Sequence, residues 1–151
     1  MSNNIQFNLL KDDMIDEYLN LIKNLSDTIE RDNIVNLMNY YKIMELYPFI
    51  QIWTIKDTYY NKLIGCGTLI LEPKFIHKCS NVGHIEDICI SPEYKGNGYG
   101  KMLIKLLVDI SKENNCYKVI LNCKDENKVF YEKCGFNQKN VQMGLYLNND
   151  I

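Results

Sequence analysis

Apolar and polar residues alternate at Ile5-Gln6-Phe7-Asn8-Leu9, the period of a short half-buried strand. From Lys11 the period lengthens. Met14, Tyr18, Leu21, Ile22 and Leu25 fall at helical spacing and predict a helix to about Asn24, before a break at Ser26-Asp27-Thr28. A second helix is predicted over 32–46, with Asp32 as cap, Ile34, Leu37, Met38 and Tyr41 on one face, and Pro48 beyond its end. Strict alternation returns over 50–55. The polar turn 57–61 then joins it to a strand over 63–71, which makes an antiparallel hairpin.

Residues 83–90 read as another strand and 91–94 as a turn. Leu103, Leu106, Leu107 and Ile110 define an amphipathic helix over 98–113. A short apolar strand over 117–121 follows, then a short helix over 127–134 that Gly135 ends. A last strand is expected over 141–147. Hairpins followed by strand–helix–strand–helix–strand predict an α/β (α+β) domain. Its sheet is mixed but mostly antiparallel, and about four helices flank it. A length of 151 residues fits one domain spanning 1–151.

The charges, 17 basic against 19 acidic, nearly cancel. That balance argues against a protein that binds nucleic acid by neutralising phosphates. No apolar run approaches the roughly 18 residues of a membrane span. Met1-Ser2-Asn3-Asn4-Ile5 lacks a basic segment leading into an apolar one, so a cytoplasmic protein is expected. Six cysteines without Cys-x-x-Cys spacing then read as free thiols, and no metal is implied. Ala is absent and Arg31 is the sole arginine, a bias of composition.

The segment Lys95-Gly96-Asn97-Gly98-Tyr99-Gly100-Lys101 carries the clearest chemistry, between a strand and a helix. Its glycines permit a sharp turn and close approach of a ligand to backbone N–H groups. N–H groups at a helix N-terminus suit a phosphate. A plain flexible turn is the alternative. The spacing departs from a Walker loop and from the dinucleotide-binding pattern, which also needs an earlier βαβ unit. It matches the pyrophosphate loop of the GNAT acetyltransferases, [QR]-x-x-G-x-[GA], with Lys95 at the first position.

The chain resembles the GNAT family, and within it the glucosamine 6-phosphate N-acetyltransferases. The likeness rests on that loop, on Gly83-His84-Ile85-Glu86-Asp87-Ile88, on Cys116-Tyr117-Lys118, and on Asn127-Lys128-Val129-Phe130-Tyr131-Glu132-Lys133-Cys134-Gly135-Phe136. It implies acetyl-CoA as co-substrate, an amino-sugar phosphate as acceptor, direct attack in a ternary complex, and a homodimer. By this resemblance the loop from Lys95 through Gly96, Asn97, Gly98, Tyr99 and Gly100 to Lys101 holds the pyrophosphate. Ile88, Cys89 and Ile90 pair with the pantetheine, and one of their N–H groups polarises the thioester carbonyl. Asn127 bonds the CoA arm.

By the same resemblance Tyr131 stabilises or protonates the departing thiolate; a phenol of pKa about 10 suits that role at neutral pH. Glu86 and Asp87 contact the sugar and, as neighbours on a strand, are expected on opposite faces; a carboxylate there can take the amine's proton. Lys74, Lys118 and Lys133 are the candidate phosphate cations, with His77 and Tyr117 beside them and Ser26 supplying a hydroxyl. Asn122 stands where the family usually has an Asp that orients the amine. Tyr146 stands where it offers an Arg to the phosphate, and a phenol cannot replace that charged fork. An acetyltransferase for another amine, or a non-catalytic acyl-CoA-binding domain, are the competing expectations.

Overall fold

The period-two runs become strands because pairing them satisfies their backbone groups while one face packs on helices. The computed structural model describes residues 4–26 and 34–147. Strands β1 (Ile5–Leu9), β2 (Ile50–Asp57), β3 (Lys62–Pro73), β4 (Asn81–Ile90) and β5 (Cys116–Leu121) lie in that order across one sheet. The first four are antiparallel neighbours, and β5 lies parallel to β4. The helices are α1 (Ile15–Ile22), α2 (Ile34–Glu45), the single turn α3 (Ile76–Cys79), α4 (Tyr99–Glu113) and α5 (Lys128–Lys133). A parallel pair needs a crossover, and α4 supplies it.

The apolar stripe of α4 buries Leu103, Ile104 and Leu107 completely. On the other face α1 buries Ile15, Leu19 and Leu21. Between them β3 is buried continuously from Leu63 to Leu69, as a strand covered on both faces must be. The Tyr41 hydroxyl ties α2 to the sheet, 3.0 Å from the Leu10 carbonyl and 3.1 Å from Glu45 Oε1. Burial and the Glu45 carboxylate push its pKa up to about 12.

Two expectations change. The first helix is shorter than 11–24: a 3-10 turn at Asp12–Met14 precedes α1, which stops at Ile22. Residues 141–147 are not a strand, because no strand among the described residues pairs with them. Val141, Met143, Leu145, Tyr146 and Leu147 are all more than 80% exposed. Asp27, Thr28 and the cap position Asp32 lie outside the described residues. Met1–Leu121 and Asn122–Ile151 form two compact units.

Candidate active site

In the first unit β4 leads through a 3-10 turn, Pro92–Tyr94, into the glycine segment and α4. Gly96 and Gly98 hold φ of 80° and 84°, left-handed values that glycine adopts without strain. A Cβ at either would meet nothing within 4 Å, so open space surrounds the turn. The Met102 N–H donates to the Gly98 carbonyl at 3.1 Å. The N–H groups of Tyr99, Gly100 and Lys101 precede that bond and have no partner within the helix. Such a terminus, flanked by the exposed Lys95 and Lys101, suits a phosphate anion. The Asn97 amide braces the turn by donating to the carbonyls of Tyr94 and Lys95, at 3.2 and 3.4 Å.

Immediately upstream, β4 is bulged. Cys66 pairs with Cys89 and Thr68 with Glu86, so Gly67 alone faces Asp87 and Ile88. Asp87 takes a φ of 53° to absorb the extra residue. The expected alternation of Glu86 and Asp87 across the sheet is therefore replaced by the bulge. Glu86 and Cys89, three apart, share the α1 face, because their partners Thr68 and Cys66 are two apart on β3. Ile88 turns to the α4 face, where a Cβ on Gly67 would lie 2.5 Å from its Cδ1. Pairing of β4 with β5 ends at Ile85 and Leu121, yet β4 continues to Ile90. Among the described residues, 86–90 thus has no strand beside it on the β5 side. Its free backbone groups can pair with an extended ligand.

Glu86 is half-buried at this bulge. Burial, and then the Asp87 carboxylate, raise its pKa above the ordinary range, with His84 opposing. A carboxylate tuned upward is suited to take a proton near neutral pH. Tyr18, read from the sequence only as part of an apolar stripe, packs against Leu21, Cys66 and Cys89. Burial chiefly pushes its phenol pKa well up, with Cys66, Asp87 and Cys89 adding to the effect. The sequence signal was a hydroxyl on the core face of a helix.

The candidate acceptor residues divide. His77 stacks on Tyr117 with centroids 4.0 Å apart, and Lys118 Nζ lies 5.5 Å from the same ring. His77, Lys78 and Cys79 are consecutive left-handed residues, with φ of 53°, 60° and 57°, a strained turn that no periodicity could announce. Lys74 is not a free cation, because it forms an ion pair with Glu72. Glu72 also bonds His84 Nε2 at 2.9 Å, and Lys74 and then His84 hold its carboxyl below the usual range. Ser26 is exposed past the end of α1.

Asn122, Asn127, Tyr131, Lys133 and Tyr146 belong to the second unit. Asn127 occupies the N-cap of α5 but makes no side-chain cap bond, which leaves its amide for another partner. Tyr131 lies within α5, its ring edge-on to Phe130 at 5.0 Å and to Phe136 at 6.3 Å. Lys133 ends α5 on the surface, Asn122 is exposed, and Tyr146 is exposed in the extended tail. Among the described residues, no cluster of His, Cys, Asp and Glu forms a metal site, and no helix is long and apolar enough to cross a membrane.

Comparison with known proteins agrees with this geometry. Residues 16–136 match the model of the acetyltransferase (GNAT) family. The chain is 44% identical over 108 residues to glucosamine 6-phosphate N-acetyltransferase 1 of Dictyostelium discoideum, covering 66% of this chain and 69% of that one. It is 35% identical over 133 residues to the Candida albicans enzyme of the same activity, covering 87% of each. The crystal structure of glucosamine-6-phosphate N-acetyltransferase from Arabidopsis thaliana superposes with a TM-score of 0.81 at 31% identity, over 95% of this chain and 99% of that one. The helix-terminal anion site, the bulged β4 and its open edge thus stand in a chain that belongs to the GNAT acetyltransferase family.

Proposed function

We propose that the protein transfers the acetyl group of acetyl-CoA to the amine of glucosamine 6-phosphate, giving N-acetylglucosamine 6-phosphate for UDP-N-acetylglucosamine synthesis. The single observation that carries the reading is the free edge of β4 at 86–90, running from a bulge into an unpartnered helix N-terminus. The printed names of the relatives supply the acceptor.

The N–H groups of Tyr99, Gly100 and Lys101, with the Lys95–Gly98 turn, bind the pyrophosphate. Ile88, Cys89 and Ile90 align the pantetheine, and a backbone N–H among them polarises the thioester carbonyl as charge develops on its oxygen. Glu86 accepts the amine's proton, directly or through water. Tyr131 donates a proton to the departing thiolate, and Asn127 bonds the CoA arm. Asn122 orients the amine by hydrogen bonding without the charge of an Asp. His77, Tyr117 and Lys118 line the acceptor side with Asp87 and Ser26, and Lys118, Lys133 and Tyr146 meet the phosphate. Lys74 serves there only when its pair with Glu72 opens.

The whole chain acts as one GNAT domain in a cytoplasmic homodimer. Six free cysteines support a reducing compartment, and the exposed alternating Val141, Met143, Leu145 and Leu147 support a protein partner. The test is release of CoA thiol from acetyl-CoA with glucosamine 6-phosphate, glucosamine, polyamines, amino acids and peptides. Glucosamine 6-phosphate should be the fastest acceptor. Release no greater than in buffer sinks this substrate, and faster release with another amine reassigns it.

A further inference from the structure

Cys66 and Cys89 stand directly opposite each other on antiparallel β3 and β4, at the edge of the bulge. Partners so placed have Cα atoms about 4.5–5.5 Å apart, within the span a disulfide bridges. Their side chains face the same way, beneath α1, in one buried cluster with Leu21. Cys66 Sγ also points at the Asp87 carbonyl, 3.9 Å away, and Cys89 Sγ at the Leu21 carbonyl, 3.4 Å away. Acetyl transfer uses neither thiol.

We propose that Cys66 and Cys89 are an oxidant-responsive dithiol, closing to a cross-strand disulfide that turns acetyl transfer down. The switch-off rests on the proposed acetyl transfer; the disulfide itself does not. Cys89 reacts first. It is the more exposed, at 4% against 1%, and the neighbouring Cys66 thiol, with Lys95 adding, holds its pKa down against the burial that raises it. So little access selects a small peroxide as the oxidant. The Cys89 sulfur attacks one peroxide oxygen, the O–O bond breaks, and Cys89 sulfenic acid and water form. Cys66 Sγ then attacks the Cys89 sulfur, a water leaves with the Cys66 proton, and the S–S bond closes. Two thiols have lost two electrons and one hydrogen peroxide has become two waters. The new bond, about 2.05 Å long, draws β3 and β4 together where the backbone groups of 88–90 must meet the thioester.

The full chain is treated with hydrogen peroxide, its remaining thiols are alkylated, and its peptides are mapped while acetyl transfer is followed. The expected result is a peptide pair joined through Cys66 and Cys89. Activity should fall in proportion to the joined fraction and return with a thiol reductant. Cys66→Val and Cys66→Ser, either of which serves if the other folds poorly, should start with full activity and lose the reversible component. Three results overturn the proposal: no Cys66–Cys89 link, a link with undiminished activity, or a Cys66 variant as peroxide-sensitive as the parent. If no amine is acetylated at all, the proposed function fails, and the peptide map still decides the disulfide.

Discussion

Replacing Gly98 with Ala tests the anion-binding turn. At a φ of 84° an L-residue is strained by about 1–2 kcal/mol, and open space around the position means no steric clash adds to it. Two limits follow. If the variant keeps the native turn, the strain appears in folding; at about 2–4 °C per kcal/mol for a chain of this size, the melting temperature falls by about 2–8 °C. If the turn relaxes to negative φ, the strain returns only when the ligand restores it, and acetyl-CoA affinity falls about 5–30-fold. Thermal melts and calorimetric titration with acetyl-CoA read the two shares, whose sum should be about 1–2 kcal/mol. A variant with parental melting temperature and parental affinity would refute the role of the turn.

Tyr131→Phe should lower kcat by about 10²–10⁴-fold while acetyl-CoA affinity, measured by titration, stays unchanged; an unaltered kcat assigns the proton to another group. Glu86→Gln should remove the acidic limb of the kcat/KM–pH profile. Because the native Glu86 pKa is raised, its stabilising share is complete below the unfolded value and is lost as pH rises through the native one. The variant's melting temperature should therefore gain on the parent more at about pH 7 than at about pH 4. Lys118→Ala should raise KM for glucosamine 6-phosphate and leave KM for acetyl-CoA alone; equal changes in both would remove Lys118 from the acceptor side. Leu103→Ala, fully buried on the apolar stripe of α4, should cost about 2–5 kcal/mol in denaturant unfolding, and a cost below about 1 kcal/mol would contradict the packing.

The sheet, α4 and the glycine turn were legible in the sequence because each is locally encoded. Alternation marks β1 and β2, a 3.6-residue stripe marks α4, and glycine marks the left-handed positions 96 and 98. The bulge was not legible. Nothing local distinguishes Asp87 from its neighbours, and its φ of 53° arises from the pairing with β3, where Gly67 faces two residues. That bulge, and not simple alternation, sets how Glu86 and Asp87 lie on β4. Lys74 read as a free cation because Glu72, two residues away, shows its pairing only once β3 is formed. The segment 141–147 has the alternation of a strand, but alternation records a preference for a half-buried face and does not supply the partner. Tyr18 and the Cys66–Cys89 pair join distant parts of the chain, so spacing could not link them.

The most direct measurement is the initial rate of CoA thiol release over a matrix of acetyl-CoA and glucosamine 6-phosphate concentrations. Direct attack in a ternary complex predicts amine-dependent release, N-acetylglucosamine 6-phosphate as product, and double-reciprocal lines that intersect. Release independent of the amine, or parallel lines of the kind a covalent acyl-enzyme gives, would contradict it.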